Sequence, residues 1–170
     1  EDDVVVLLGP DRRELGGSEY LKQCHDLISG DAPALDLDEE KRLHKVLLAA
    51  IRGGLVHSAH DCAEGGLAVA LAEKAITSAG SLGATIDLGD ADTALLFGES
   101  QTRVVVSLAQ EHVAALQQLC HEHSIPMKEI GNVVNDRFDI AGFLSTDVET
   151  LRDRYENAIP DIVHSEAHVL

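Results

Sequence analysis

Residues 57–73, which read HSAHDCAEGGLAVALAE, place a short extended segment directly before a helix. The helical part carries apolar residues at i, i+4 and i+8, namely Leu67, Leu71 and Ala75. Gly65 and Gly66 stand where the extended segment turns into the helix. Because neither glycine has a Cβ atom, a ligand or another stretch of backbone can come close there. The pattern predicts a strand–loop–helix unit.

Two interpretations of this loop stand side by side. The free N–H groups of the first helical turn form a ready anion site, which favours a phosphate cradle. The loop is no Walker loop, because it lacks the Gly-Lys-Ser/Thr ending. The alternative is an ordinary tight turn, and Glu64 at the helix entrance would repel a phosphate unless its side chain points away.

Length and composition are typical of one globular domain over residues 1–170. Of these residues, 45% are hydrophobic and 25% are charged. No apolar run approaches the ~20 residues that span a bilayer. The chain begins with Glu1 and its one methionine is Met127, so we expect a lobe cut from the C-terminal part of a longer enzyme, without a signal peptide.

Charge and cysteine content restrict the partners and the compartment. The formal net charge is −17, which argues against nucleic acid or an anionic membrane as a partner, because both are polyanions. The three cysteines are scattered, without a CxxC pair: Cys24, Cys62 and Cys120. That usage favours reduced thiols, and hence a cytoplasmic location.

The rest of the chain alternates between strand and helix patterns. Predicted strands cover residues 4–8, 55–59, 84–88, 103–108, 129–133 and 137–140, the last two joined as a hairpin by Asn135–Asp136. Predicted helices cover residues 18–27, 38–52, 66–79, 91–97, 111–123 and 148–157, with a frayed tail at 161–170. The alternation predicts an α/β (α+β) fold, a mixed β-sheet packed against helices.

The helix over residues 38–52 has the strongest periodicity. Its apolar residues are predicted to share one face, and they are Leu43, Val46, Leu47, Ala50 and Ile51. Gly53 and Gly54 end the helix. We expect the stripe Leu43/Leu47/Ile51 to pack into the main core.

Three side chains near the glycine pair could carry metal or thiol chemistry. His57, His60 and Cys62 are potential zinc ligands, but their spacing matches no structural zinc pattern and no fourth ligand is evident. An extended segment would also point alternate side chains to opposite faces. A hydrogen-bonded histidine pair is the alternative. Cys62 as a nucleophile is a further alternative, although only the helix start could lower its pKa.

Two more polar loops resemble the first in composition. Residues 98–103, GESQTR, precede an apolar strand and carry groups that could contact a small polar ligand. Residues 14–20, ELGGSEY, again place glycines before a helix, with Ser18 as a plausible N-cap. Ordinary turns are the alternative for both loops. Three such loops in one small domain suggest a common rim.

Taken together, three segments resemble one enzyme family. ELGGSEYL at 14–21, VHSAHDCAEGGLAVALAE at 56–73 and LFGESQTRVVVS at 96–107 are similar to segments of phosphoribosylformylglycinamidine synthases, in the same order. Residues 151–163, LRDRYENAIPDIV, resemble the C-terminus of those enzymes. The likeness covers nearly the whole chain and lies in their C-terminal lobe, which is related to the C-terminal domain of aminoimidazole ribonucleotide synthetase.

The resemblance implies a fold like that C-terminal domain, within an ATP-dependent ligase of purine biosynthesis. Such a ligase converts formylglycinamide ribonucleotide and glutamine-derived ammonia to the amidine. ATP and magnesium would be held mainly by the other domains, with no cofactor held by this one alone. Implied partners are the remaining domains, a glutaminase subunit or domain, and a small accessory subunit. The isolated piece is expected to be inactive.

The resemblance also implies substrate- or phosphate-binding residues, but no catalytic and no metal-binding ones. These positions match the glycine-rich loop and a Glu-Ser-Gln segment that touches substrate in a related copy of the lobe: Asp61, Gly65, Gly66, Glu99, Ser100 and Gln101. This chain is more similar to the second copy, which faces a pseudo-symmetric auxiliary site. Ala63 stands where many members have serine.

Two other functions stay open from the sequence. The lobe could be a non-catalytic structural module that stabilises a pseudo-dimer and binds nothing itself. A free-standing small-molecule sensor is the third possibility. The structural module would share the fold of the ligase lobe. The two functions differ in whether the rim formed by the three polar loops binds a ligand.

Overall fold

The computed structural model describes residues 1–166, and the side chains of residues 1–163. The strands are β1 (Val4–Leu8), β2 (Ser58–Asp61), β3 (Leu82–Ile86), β4 (Val104–Leu108), β5 (Met127–Asn135), β6 (Arg137–Ile140) and β7 (Leu144–Asp147). The α-helices are α1 (Glu19–His25), α2 (Leu37–Arg52), α3 (Gly66–Ile76), α4 (Thr93–Phe97), α5 (Val113–Glu122) and α6 (Val148–Glu166). A 3₁₀ turn at Gln110–His112 leads into α5. Within this part of the chain, none of the helices combines the length and apolarity that crossing a membrane requires.

The seven strands found in residues 1–166 form one sheet with the order β2-β4-β1-β5-β3-β6-β7. Neighbouring strands are antiparallel except β3 and β6, which run parallel. The sheet is therefore mixed and packs against helices, as the sequence predicts.

Helices cover both faces of this sheet, and the interior strand β1 is apolar and buried at every position. Its alternating side chains enter two separate cores. Val5 and Leu7 face the core formed with α3, α4 and the start of α6. Val4, Val6 and Leu8 face the core formed with α2 and α5. The result is a three-layer arrangement in which the continuous run VVVLL belongs to a strand buried on both sides.

The predicted hairpin between residues 129–133 and 137–140 is wrong. Strand β3 lies between β5 and β6, antiparallel to the first and parallel to the second. Asp136 has a φ of 59° and its N–H donates to Ser81, so the chain steps past the start of β3. The hairpin near the end of the chain instead joins β6 to β7, a strand that the sequence pattern did not indicate.

Helix α2 ends at the predicted glycines but presents a narrower apolar face to the core than predicted. Its buried residues are Leu43, Val46 and Ala50, whereas Leu47 is half-buried and Ile51 is 49% exposed. The reason is angular, since successive residues turn by about 100° around a helix. Ile51 therefore lies at the edge of the apolar face, away from Val46. The predicted stripe is confirmed at Leu43, is partly buried against the core at Leu47, and is wrong at Ile51.

The remaining differences concern element ends. Strand β2 begins at Ser58 rather than at residue 55. Helix α6 continues to Glu166, past the end predicted at residue 157 and past Pro160. Residues 167–170 of the predicted frayed tail lie outside the described residues.

Candidate functional site

One carboxylate joins the three polar loops. Glu99 Oε1 accepts hydrogen bonds from the backbone N–H groups of Glu19 and Gly65, both at 2.8 Å. Glu19 is the first residue of α1, and Gly65 directly precedes α3. We call this arrangement the Glu99 tie. It brings together the loops around residues 14–20, 61–66 and 98–103.

The local sequence explains why both N–H groups point to one place. Ser18 caps α1, accepting from Leu21 N–H at 3.4 Å, which leaves the Glu19 N–H free for another acceptor. Gly65 has a φ of 78°, in the left-handed region, and α3 has no side-chain cap. Both helix starts carry partial positive charge, which attracts a carboxylate. The anion at these two helix starts is therefore the carboxylate of Glu99, and not a bound ligand.

Gly66 is required by a neighbouring backbone. Its φ is +69°, and a Cβ built there would lie 2.6 Å from the carbonyl oxygen of Gly98 and 2.9 Å from that of Leu96. No side chain fits between these atoms without a backbone shift. From the sequence, either a ligand or another stretch of backbone could approach the glycine pair closely. In the structure, it is the backbone of residues 96–98 that approaches Gly66.

The other predicted residues line a cavity beside the Glu99 tie. The cavity has a volume of about 350 Å³, and Asp61, Ser100 and Gln101 contribute to its wall. Asp61 and Gln101 are exposed, whereas Ser100 is 1% exposed and its Oγ accepts from Glu14 N–H at 3.3 Å. We call this the Asp61 cavity. Of the six predicted residues, three line the cavity, and Ser100 among them also makes a hydrogen bond within the chain; the other three, Gly65, Gly66 and Glu99, only make contacts within the chain.

Helix α2 supplies a side of this cavity that sequence reasoning missed. Glu40 Oε2 accepts from Thr102 Oγ1 at 2.5 Å, and Glu40 Oε1 lies 2.9 Å from His44 Nε2. Glu40 and His44 both line the Asp61 cavity. Their i, i+4 spacing is visible in the sequence, but nothing local relates them to Thr102, 62 residues away along the chain.

Arg103 belongs to the predicted polar loop at residues 98–103, but the sequence did not predict its role; it directly precedes the apolar strand β4. It is 3% exposed, and its guanidinium donates to the carbonyl oxygens of Gly98 and Leu95 at 3.2 and 3.1 Å. These carbonyls lie at the end of α4, where a positive charge is favourable. Arg103 thereby fixes the loop that carries Glu99.

Cys62 is not arranged as a nucleophile. It is buried in the core, and burial raises the pKa of its thiol to about 11. At neutral pH the thiol stays protonated, and a thiol is a far weaker nucleophile than a thiolate.

The two histidines near Cys62 have separate partners. His57 Nδ1 lies 2.7 Å from Asp3 Oδ2, and His60 Nδ1 lies 2.7 Å from the carbonyl oxygen of Asp61. Across the part of the chain that the structure describes, no group of three or more His, Cys, Asp and Glu side chains could hold a metal ion.

Sequence comparison places this arrangement in a family. Residues 1–141 match the family described as AIR synthase related protein, C-terminal domain, and the chain belongs to it. Among curated relatives, phosphoribosylformylglycinamidine synthase subunit PurL of Symbiobacterium thermophilum is 48% identical over 177 residues. That alignment covers 97% of this chain and 23% of the relative, so the chain spans about a quarter of the relative's length.

Solved structures share the fold. PurLQS from Thermotoga maritima aligns with a TM-score of 0.70 at 20% identity, covering 89% of this chain and 26% of that one. T. maritima PurL complexed with ATP aligns with a TM-score of 0.67 at 21% identity, with the same coverage of both chains. The expected fold, similar to the aminoimidazole ribonucleotide synthetase C-terminal domain, is confirmed.

Proposed function

We propose that this chain is the C-terminal lobe of a phosphoribosylformylglycinamidine synthase. The whole enzyme would be an ATP-dependent C–N ligase that converts formylglycinamide ribonucleotide and glutamine-derived ammonia to the amidine. The 48% identity to a PurL subunit along 97% of this chain carries the proposal. The chain by itself is proposed to lack this activity.

Within that enzyme, the lobe would contribute polar groups from the Asp61 cavity. Asp61 accepts hydrogen bonds as a carboxylate, whereas the Gln101 amide both donates and accepts, so together they suit hydroxyl or amide groups of a substrate. Ser100 is held by the Glu14 N–H and fixes the segment between Glu99 and Gln101. Gly65, Gly66 and Glu99 would position these groups rather than bind a phosphate themselves.

The glycine pair Gly65–Gly66 of this lobe is poorly suited to bind the phosphate groups of ATP. The Gly65 N–H already donates to Glu99, and the space above Gly66 is filled by the carbonyls of Leu96 and Gly98. The described residues also offer no metal cluster. We therefore propose that other domains of the synthase hold ATP and magnesium; among the structural relatives, T. maritima PurL binds ATP.

The partners follow from the same assignment. The lobe would contact the remaining domains of the synthase, and the whole enzyme would receive ammonia from a glutaminase subunit or domain, with a small accessory subunit. The PurLQS structure supports such an assembly for its own protein. The proposed location is the cytoplasm, where de novo purine synthesis would take place.

The test measures formation of the amidine from ATP, ammonia and formylglycinamide ribonucleotide. The full-length natural protein should form product, and the 170-residue chain should form none. Product from the 170-residue chain alone would contradict the assignment of the catalytic groups to other domains. Absence of product from the full-length protein would contradict the proposed reaction.

The internal contacts of the Glu99 tie favour one alternative, a structural module that stabilises a pseudo-dimer without touching a ligand. Asp61→Asn with Gln101→Ala distinguishes the two in the full-length protein. A role in substrate binding predicts a rise in KM of about tenfold or more, at unchanged melting temperature. Unchanged kinetics in the folded double variant would support the structural module.

A further inference from the structure

A second cavity, which we call the Lys74 cavity, lies at the opposite end of α3 from Gly65 and Gly66. Its volume is about 410 Å³, and it separates the last turns of α3 from the sheet. The sheet residues beneath it are small, among them Ser58 of β2, Ser107 of β4 and Ala84 of β3. Because these side chains fill little space, the helix leaves a hollow there instead of a close-packed contact.

A polar cluster occupies one end of the Lys74 cavity. Lys74 Nζ donates to Ser58 Oγ at 2.6 Å, and Ser58 Oγ lies 2.6 Å from Ser107 Oγ. Ser107 is 6% exposed and Lys74 is half-buried. Apolar side chains, including Val5 and Leu71, line another part of the wall. An apolar wall with a few convergent polar groups is typical of a small-molecule site.

The ammonium group of Lys74 forms no direct ion pair in the described part of the chain, although acidic residues stand at the cavity rim. Burial lowers the pKa of Lys74 to about 8, so the group is mostly charged at neutral pH. A charge taken partly out of water without a directly paired opposite charge is unfavourable, and an anionic ligand would relieve that cost.

The acidic side chains facing the cavity have other partners. Asp3 lies 2.7 Å from His57, whereas Glu73 on α3, which does not line the cavity, lies 3.5 Å from His60, which does. Glu1 accepts from Asn135 Nδ2. Asp3 still acts on Lys74 at longer range, because its negative charge raises the pKa of the ammonium group, but by less than burial lowers it.

We infer that the Lys74 cavity binds a small carboxylic acid in its ionised form, with a short apolar body. The carboxylate would accept from Lys74 Nζ and from one of the two serine hydroxyls, since the other hydroxyl donates within the Ser58–Ser107 pair, and the apolar body would lie against Val5 and Leu71. This site uses none of the residues of the Asp61 cavity and does not depend on the proposed ligase function.

The binding should depend on pH in one direction. A bound carboxylate stabilises the charged form of Lys74 and raises its pKa. Affinity is therefore highest below about pH 8 and falls as the pH rises above that value, because Lys74 then loses its proton.

The experiment measures the reactivity of single lysines in the full-length natural protein. Trace acetylation with acetic anhydride, followed by mass spectrometry, gives the labelling rate of Lys74 and of the exposed Lys41 on α2 as an internal control. Hexanoate is the probe and 1-hexanol is its uncharged match. At a hexanoate concentration about ten times its dissociation constant, the labelling rate of Lys74 should fall about tenfold. That of Lys41 should stay constant, and 1-hexanol should protect neither.

Two variants test the chemistry of the site by calorimetry with hexanoate. Lys74→Met keeps an unbranched side chain but removes the charge, and it should lose the binding, whereas Lys74→Arg should keep it. Equal protection by 1-hexanol, or no protection at about 10 mM hexanoate, would overturn the inference. It would also be overturned if Lys74 were unreactive without ligand while Lys41 reacts, since another segment would then fill the cavity.

Discussion

At the scale of the residue, the most consequential side chain is Glu99. A single carboxylate oxygen accepts the first N–H of α1 and the N–H of Gly65. Sequence alone indicated that the loop carrying Glu99 belongs with the glycine pair. It did not indicate that the carboxylate itself would take the position of an anion at two helix starts, because that contact spans 34 and 80 residues of chain.

Replacing Glu99 tests this contact. Glu99→Ala leaves two backbone donors without their acceptor and should lower the free energy of unfolding of the 170-residue chain by about 1–3 kcal/mol. Glu99→Gln keeps an acceptor oxygen and should cost less than about 1 kcal/mol. Urea denaturation followed by circular dichroism measures both.

The control is Glu64→Ala, which removes an exposed carboxylate from the same helix entrance. Its effect should stay within about 0.5 kcal/mol. Equal losses for Glu64→Ala and Glu99→Ala would mean that general charge at the helix start, rather than the two hydrogen bonds, stabilises the loops.

Gly66 and Gly89 form a matched pair for the second prediction. Their φ angles are +69° and +70°, but a Cβ at Gly89 meets nothing within 4 Å, whereas one at Gly66 meets the carbonyl of Gly98 at 2.6 Å. Gly89→Ala should cost about 1 kcal/mol from backbone strain alone. Gly66→Ala adds a steric conflict and should cost clearly more, measured by the same urea denaturation.

The catalytic outcome distinguishes the two interpretations of the glycine pair. Gly66→Ala in the full-length protein should lower the melting temperature while the molecules that stay folded keep their kinetics. Normal stability with impaired turnover would instead support a ligand approach at Gly66.

At the scale of the element, sequence patterns predicted most strands and helices but not how strands pair. Strand β1, with the run VVVLL, and helix α2 could be predicted from local sequence. A strand buried on both faces gives a continuous apolar run, and a helix buried on one face gives apolar residues at helical spacing. Strand order depends on contacts between distant segments, and so the insertion of β3 between β5 and β6 had no local sign. The four residues of β7 are largely exposed or half-buried and have no apolar alternation.

Helix α2 gives the third prediction. Leu43 is 1% exposed and Ile51 is 49% exposed, although both belong to the apolar residues of the same helix. Leu43→Ala should therefore lower the free energy of unfolding by about 2–5 kcal/mol, while Ile51→Ala should cost less than about 1 kcal/mol. Urea denaturation of the two variants measures the difference. A larger loss for Ile51→Ala would mean that Ile51 is more deeply buried than Leu43, contrary to the structure.

At the scale of the whole molecule, one sheet separates two cores. Arg103, Glu99 and the Asp61 cavity lie where β4 begins, so the candidate site rests on a strand that contributes to both cores. Successive side chains of β4 point to opposite faces of the sheet. Val105 packs with α3 and α4, whereas Val106 packs with α2 and α5. A strand shared in this way should couple the two sides of the sheet.

The last prediction tests that coupling with Val105→Ala and Val106→Ala. Both valines are fully buried at 0% exposure, and each substitution removes the same two methyl groups from an opposite face of β4. Each should lower the free energy of unfolding by about 1.5–3 kcal/mol. If the sheet couples the cores, both variants keep a single transition, with coincident midpoints by circular dichroism and calorimetry. Two transitions, of which each variant shifts only one, would mean that the cores unfold independently. A single transition would instead show that the two cores unfold as one cooperative unit.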